Sequence, residues 1–149
     1  MGFQEDIKQP FFLSEEQKAP LNVIYTGNWL ANQQNELLKP YGLTMQQYNV
    51  LRILRGQNGR PMTILAIIER MLDKTSNASR LVDKLLDKHL VVRNECPNDR
   101  RAVDILITAE GLDLLSQIDL IQENWKTRFS KMGEERLQHL NELLDLLRS

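Results

Sequence analysis

Residues 73–108 read DKTSNASRLVDKLLDKHLVVRNECPNDRRAVDILIT, and the apolar period changes part-way through. Ala78, Leu81, Val82, Leu85, Leu86 and Leu90 follow the i, i+3, i+4, i+7 rhythm of an amphipathic helix, with Asp73 as its expected cap. Two β-branched runs come next, LVVRNE (90–95) and RAVDILI (101–107). In the second, Val103, Ile105 and Ile107 alternate with Ala102, Asp104 and Leu106, the two-residue period of a half-exposed strand. The insert between them, Cys96-Pro97-Asn98-Asp99-Arg100, is rich in turn formers. A helix leading directly into a hairpin is the reading.

Working outward, Thr44-Met45-Gln46-Gln47 is a capping box opening a helix with Val50, Leu51 and Leu54 on one face. Gly56, Gly59 and Pro61 end that helix, and Thr63 caps a short one over Ile64–Leu72. Three short helices followed by a hairpin is the element order of a winged helix-turn-helix. On the N-terminal side, Ser14-Glu15-Glu16-Gln17 is another capping box, and apolar spacing from Leu21 to Leu38 predicts a long helix stopped at Lys39-Pro40. Residues 1–13 show no period and are read as an arm. On the C-terminal side Thr108 caps a long helix ending at Gly133, and Glu134–Arg148 form a last amphipathic one. The expected fold class is mainly α with a small β-hairpin wing. Residues 14–149 form one domain, in which 43–108 are the winged lobe and 14–40 with 109–149 a helical dimerisation region.

The chain has 149 residues, 42% hydrophobic and 26% charged, which is globular composition for one domain or two small lobes. No apolar run is long enough for a spanning helix, and MGFQEDIKQPFF lacks the layout of a signal peptide. The single cysteine, Cys96, fits a reducing compartment, so a cytoplasmic location is expected. Net charge is −1, but it is unevenly spread. Residues 73–101 hold seven basic and five acidic groups, whereas 102–149 hold five and nine. The acidic region is expected to sit away from any polyanion.

The face opposite the leucines of the fourth helix carries Thr75, Ser76, Asn77, Ser79, Arg80, Lys84 and Lys88. Small polar side chains at a helix start permit close approach to DNA, and their donors and acceptors match base edges and phosphates. Such a face is also what a well-capped, solvated helix shows, with Asp83 and Asp87 pairing with the neighbouring Lys84 and Lys88. The turn Asn98-Asp99-Arg100-Arg101 adds two guanidinium groups, suited to the focused negative potential of a narrow minor groove.

LTMQQYNVLRIL (43–54), SNASRLVDKLLDKHLVVR (76–93) and DRRAVDILITAEG (99–111) together resemble the MarR family of bacterial transcriptional regulators. The resemblance covers residues 20–149. It implies that Asp99 braces the wing against the recognition helix, Arg101 enters the minor groove and Arg100 contacts phosphate. It also assigns recognition-helix contacts to Ser76, Asn77, Ser79, Arg80 and Lys84, and dimerisation to the first and last two helices. One departure is His89, where many members carry Gly before the strand.

Leu115, Trp125, Phe129 and the terminal leucines exceed what a small winged unit can cover, which independently motivates a homodimer, a purely intrachain core being the other reading. Catalysis is not expected, because His89 and His139 lie apart and no nucleophile motif or phosphate loop is present. Glu15-Glu16 and Glu134-Glu135 are helix-start charges favoured by the dipole. No metal site or cofactor is expected. Family members that sense hydroperoxides use a cysteine in the first helix, which this chain lacks. Family members bind ligands between the dimer region and the winged lobe, so the resemblance makes an effector pocket the better sensor reading, with Tyr25, Trp29, Tyr41 and Tyr48 as candidate lining for a small aromatic or amphipathic molecule; a place in the core is the other reading of these aromatics. The competing non-enzymatic reading is a dimeric winged-helix adaptor that uses its recognition face on protein. The expected partners are therefore double-stranded DNA and a second copy of the chain.

Overall fold

A computed structural model describes residues 2–96 and 99–149; the side chains of Cys96 and of residues 99–102 lie outside the described set. The elements are α1 (Phe3–Asp6), α2 (Glu15–Leu38), a 3-10 turn (Lys39–Tyr41), α3 (Met45–Arg55), β1 (Met62–Thr63), α4 (Ile64–Arg70) and α5 (Ala78–Asp87). They continue with β2 (Val91–Cys96), β3 (Asp99–Ile107), α6 (Ala109–Ser130) and α7 (Glu134–Arg148). The chain divides into two compact units, one up to Tyr48 and one from Asn49.

In the first unit the segment read as an arm, residues 1–13, carries a short helix, Phe3–Asp6, folded back on α2. The Phe3 ring stacks on Phe12 at 5.8 Å and lies 5.5 Å from Tyr25. Lys18 Nζ donates to Gln4 Oε1 at 3.2 Å. Contact among these rings, with Phe3 and Phe12 half-buried, supports a segment too short to hold a helix alone. The Ser14 hydroxyl accepts from Gln17 N at 3.2 Å, as predicted. The Gln17 side chain, however, reaches one residue further back and accepts from Leu13 N at 2.9 Å. At the start of α3 the capping box closes as read, with Gln47 N donating to Thr44 Oγ1 and Thr44 N to Gln47 Oε1, both at 3.2 Å. That exchange gives the buried Gln47 Oε1 a donor.

The second unit has one core, to which α3 supplies Val50, Leu51 and Leu54, α4 Ile67, α5 Val82 and Leu85, the sheet Val91 and Ile105, and α6 Leu115 and Ile118. The sheet has three strands in the order β1-β3-β2, all antiparallel, rather than the two expected. Met62 pairs with Ile105 and Thr63 with Asp104. Thr63 therefore serves both as a strand residue and as the α4 cap, accepting from Ala66 N at 3.2 Å. Arg55 on α3 makes a two-pronged contact with Asp119 on α6, at 2.7 and 3.3 Å. Leu115 is sealed inside this unit, so its burial needs no second chain, contrary to the part assigned to it in motivating a dimer. None of the residues of α7 is buried.

Candidate nucleic-acid interface

α5 turns Ala78, Val82 and Leu85 into the core and leaves Ser79, Arg80, Asp83, Lys84, Asp87 and Lys88 exposed. The helix starts later than the apolar period suggests. Asn77, not Asp73, is its cap, and Asn77 Oδ1 accepts from Arg80 N at 3.1 Å. Asp73 instead closes a small turn, accepting from the Thr75 hydroxyl at 2.6 Å and from Thr75 N at 2.9 Å. Those two donors hold its carboxyl below the ordinary carboxylate range. Thr75 and Ser76 thus belong to the loop before the helix, and Leu72 N donates to Asn49 Oδ1 at 2.9 Å, tying that loop to α3. The Asn77 amide nitrogen is the part of that side chain the cap does not use.

Asp83 pairs with Arg93 of β2 at 3.0 Å, rather than with the adjacent Lys84. Consecutive helical residues point in different directions, while the strand returning beside α5 brings Arg93 within reach. Sequence reasoning missed Arg93; its outward position on a strand that follows the helix was the available sign. The pair is partly exposed, so its value is orientation more than energy.

At the root of the wing Thr108 Oγ1 donates to His89 O at 2.9 Å and accepts from Gly111 N at 3.0 Å, while Thr108 N donates to Leu90 O at 3.0 Å. One residue joins the exit of α5, the sheet and the start of α6. A Cβ on Gly111 would meet Leu90 O at 2.5 Å and Ile107 Cγ1 at 2.7 Å, so the Thr-x-x-Gly spacing has a steric cause. His89 has φ +60°, with His89 N bonded to Leu86 O and Leu90 N to Leu85 O, the left-handed helix ending that favours glycine. The two strands pair regularly from Val91↔Ile107 to Glu95↔Val103, and then Cys96 pairs with Asp99. Residues 100–102 are the extra length on β3. The Asp99, Arg100 and Arg101 side chains assigned to the wing contacts lie outside the described residues.

A polar helix start beside an antiparallel hairpin is thus in place, and the comparisons with known proteins agree on the family. The MarR family model matches residues 41–102. The chain is 30% identical to a MarR transcription factor of Planctomyces limnophilus, with a TM-score of 0.68, over 91% of this chain and 99% of that one. The chain belongs to the MarR family. It is also 30% identical over 106 residues to YhbI of Bacillus subtilis, an uncharacterized HTH-type transcriptional regulator. That match covers 70% of this chain and 62% of the relative, so the chain spans less than two thirds of its length. A mutant MarR of Escherichia coli solved with operator DNA shares the fold at a TM-score of 0.75 and 24% identity, over 92% of this chain and 99% of that one.

Within this MarR-family chain the aromatic candidates separate. Tyr25 and Trp29 line one cleft of about 360 Å³ with Phe3, Asp6, Asn22 and Thr26. Tyr41, in the 3-10 turn, and the buried Tyr48 are not among its walls. Among the described residues no cluster of three or more His, Cys, Asp or Glu side chains suits a metal ion. Nor is any helix among them long and apolar enough to cross a membrane.

Proposed function

We propose that this chain is a sequence-specific regulator of transcription that binds double-stranded DNA as a homodimer, a ligand-responsive repressor without enzymatic activity that works in the cytoplasm. The observation that carries the reading is the exposed start of α5, where Ser79, Arg80 and Lys84 stand opposite the buried Ala78, Val82 and Leu85. Such a helix enters a major groove with its first two turns, and the wing beside it reaches the neighbouring minor groove. In that arrangement Asn77, Ser79 and Arg80 face base edges and Lys84 faces phosphate, whereas the Ser76 hydroxyl is buried and reaches a phosphate only by turning outward. Arg101 takes the minor groove, Arg100 a phosphate, and Asp99 orients the wing. The E. coli relative crystallised with operator DNA supports the DNA-binding reading by likeness of fold.

Self-association is supported by α7, where Leu143, Leu146 and Leu147 are 50%, 70% and 62% exposed. Isolated exposed leucines are ordinary, but a terminal helix with no buried residue gains its stability from something it covers. A two-fold dimer requires a pseudo-palindromic site with half-sites about one helical turn apart. The effector reading rests on the aromatic cleft of the first unit.

The test is a gel shift of purified protein on genomic fragments over a salt series, followed by footprinting of the retained sequences. Paired protection across a pseudo-palindrome is expected, with affinity falling steeply as salt rises. Binding that is absent at low salt, or protection of a single asymmetric half-site by a dimeric protein, would overturn the reading and leave the adaptor alternative.

A further inference from the structure

The cleft between α1 and α2 has a composition that the effector reading leaves unused. Its walls are the rings of Phe3, Tyr25 and Trp29, and one carboxylate, Asp6, stands at its side. Phe3 and Tyr25 are held 5.5 Å apart and tilted by 55°, and Phe12 backs Phe3, so these two aromatic walls are propped in place. Thr26 Oγ1 donates to Asn22 Oδ1, so two of the polar groups in the cleft partly satisfy each other. Among the described residues no Lys or Arg forms an ion pair with Asp6. Ring faces carry negative quadrupole potential and attract cations, above all weakly hydrated organic ammonium groups. A single carboxylate beside those faces adds Coulomb attraction of the same sign. An anionic aromatic acid would meet repulsion from both.

We infer that the Phe3–Asp6–Tyr25–Trp29 cleft binds an organic ammonium ion, its cationic head among the rings and against Asp6. The inference rests on the effector reading for Tyr25 and Trp29, and it assigns that site a charge class. It also gives the N-terminal segment a function, since Phe3 and Asp6 come from α1 and the other walls from α2. Occupancy would fasten α1 to α2, which makes the segment the part of the chain that responds to the ligand.

The experiment uses the full chain without DNA, so its failure leaves the DNA-binding reading standing. Benzyltrimethylammonium is titrated by calorimetry and by tryptophan fluorescence, beside benzyl alcohol as a neutral comparison and benzoate as an anionic one. Saturable binding of the cation alone is expected in the high-micromolar to millimolar range. Asp6→Asn should weaken it about fivefold and flatten its salt dependence, as expected for a charge pair near water. Tyr25→Leu should weaken it further while Tyr25→Phe does not, because phenol and benzene faces attract cations alike. Asp6 is exposed, and an unchanged circular dichroism spectrum of Asp6→Asn confirms that the comparison is between folded proteins. No binding at millimolar cation, equal binding of benzyl alcohol, or indifference to Asp6→Asn would each overturn the assignment.

Discussion

His89 sits one residue beyond the cap of α5 with φ +60°, and its side chain is exposed. A β-carbon in the left-handed region costs about 1 kcal/mol. His89→Gly is expected to stabilise the chain by about 0.5–1 kcal/mol, read as a rise in urea midpoint at unchanged slope. Gly111 makes the opposite case. Gly111→Ala pushes a methyl against the Leu90 carbonyl and should cost about 1–3 kcal/mol, because a backbone atom cannot swing aside. Asn77 has two jobs that must be separated. Asn77→Ala loses the helix cap, about 1 kcal/mol of stability, together with any base contact. Asn77→Ser retains the cap and removes the carboxamide, so it should keep stability while weakening the best DNA site by about 1–3 kcal/mol. Equal affinity of Asn77→Ser and the parent on every duplex would remove Asn77 from the base contacts. At this scale the residue types were legible and their settings were not. A family-unusual histidine before a strand was visible in the sequence, but its left-handed backbone follows from the helix ending that Leu85 and Leu86 accept.

The elements were legible where one local cap had no competitor. Thr44 with Gln47, Thr63 with Ala66 N, and Thr108 with Gly111 N all cap as their spacing predicts, because a cap closes within three residues. The start of α5 was misread because Asp73 and Asn77 are both good caps. Thr75 draws Asp73 into its own turn, and burial of Ala78 sets where the helix begins. β1 went unseen because two residues carry no period, and Met62 is a strand residue only through its partner Ile105. The helix and the wing should be separable by salt. Lys84→Ala on the exposed face should lower the log-log salt slope by about 0.9 with little change in stability. Arg101→Ala should weaken binding on specific and random DNA together and reduce preference for A·T-rich flanks. If Arg101→Ala alters neither affinity nor salt slope, the wing does not touch DNA, and the role given to Asp99 falls with it. A double-mutant cycle on Asp83 and Arg93 should return less than about 1 kcal/mol, given how exposed the pair is.

For the molecule as a whole, the prediction concerns association. Leu143 and Leu147 lie four residues apart on the uncovered face of α7. Replacing both by Glu should turn a dimer into a monomer at micromolar concentration by light scattering, and DNA affinity should fall with it. A parent chain that is already monomeric would refute the dimeric arrangement. What the sequence determined by itself were features carried by neighbours a few residues apart and open to one local solution. These are the apolar periods of the helices, the alternation in β3, the hydroxyl caps of α3, α4 and α6, and the division of α5 into an apolar and a polar face. Only the tertiary structure decided that Asp83 would choose Arg93 over Lys84, that β1 would join the sheet, that Leu115 would be internal, and that Phe3 and Asp6 would be brought to Tyr25 and Trp29. The physical reason is common to all four. Each contact joins residues distant in sequence, whose meeting depends on which apolar surfaces pack first, and no local spacing encodes that choice.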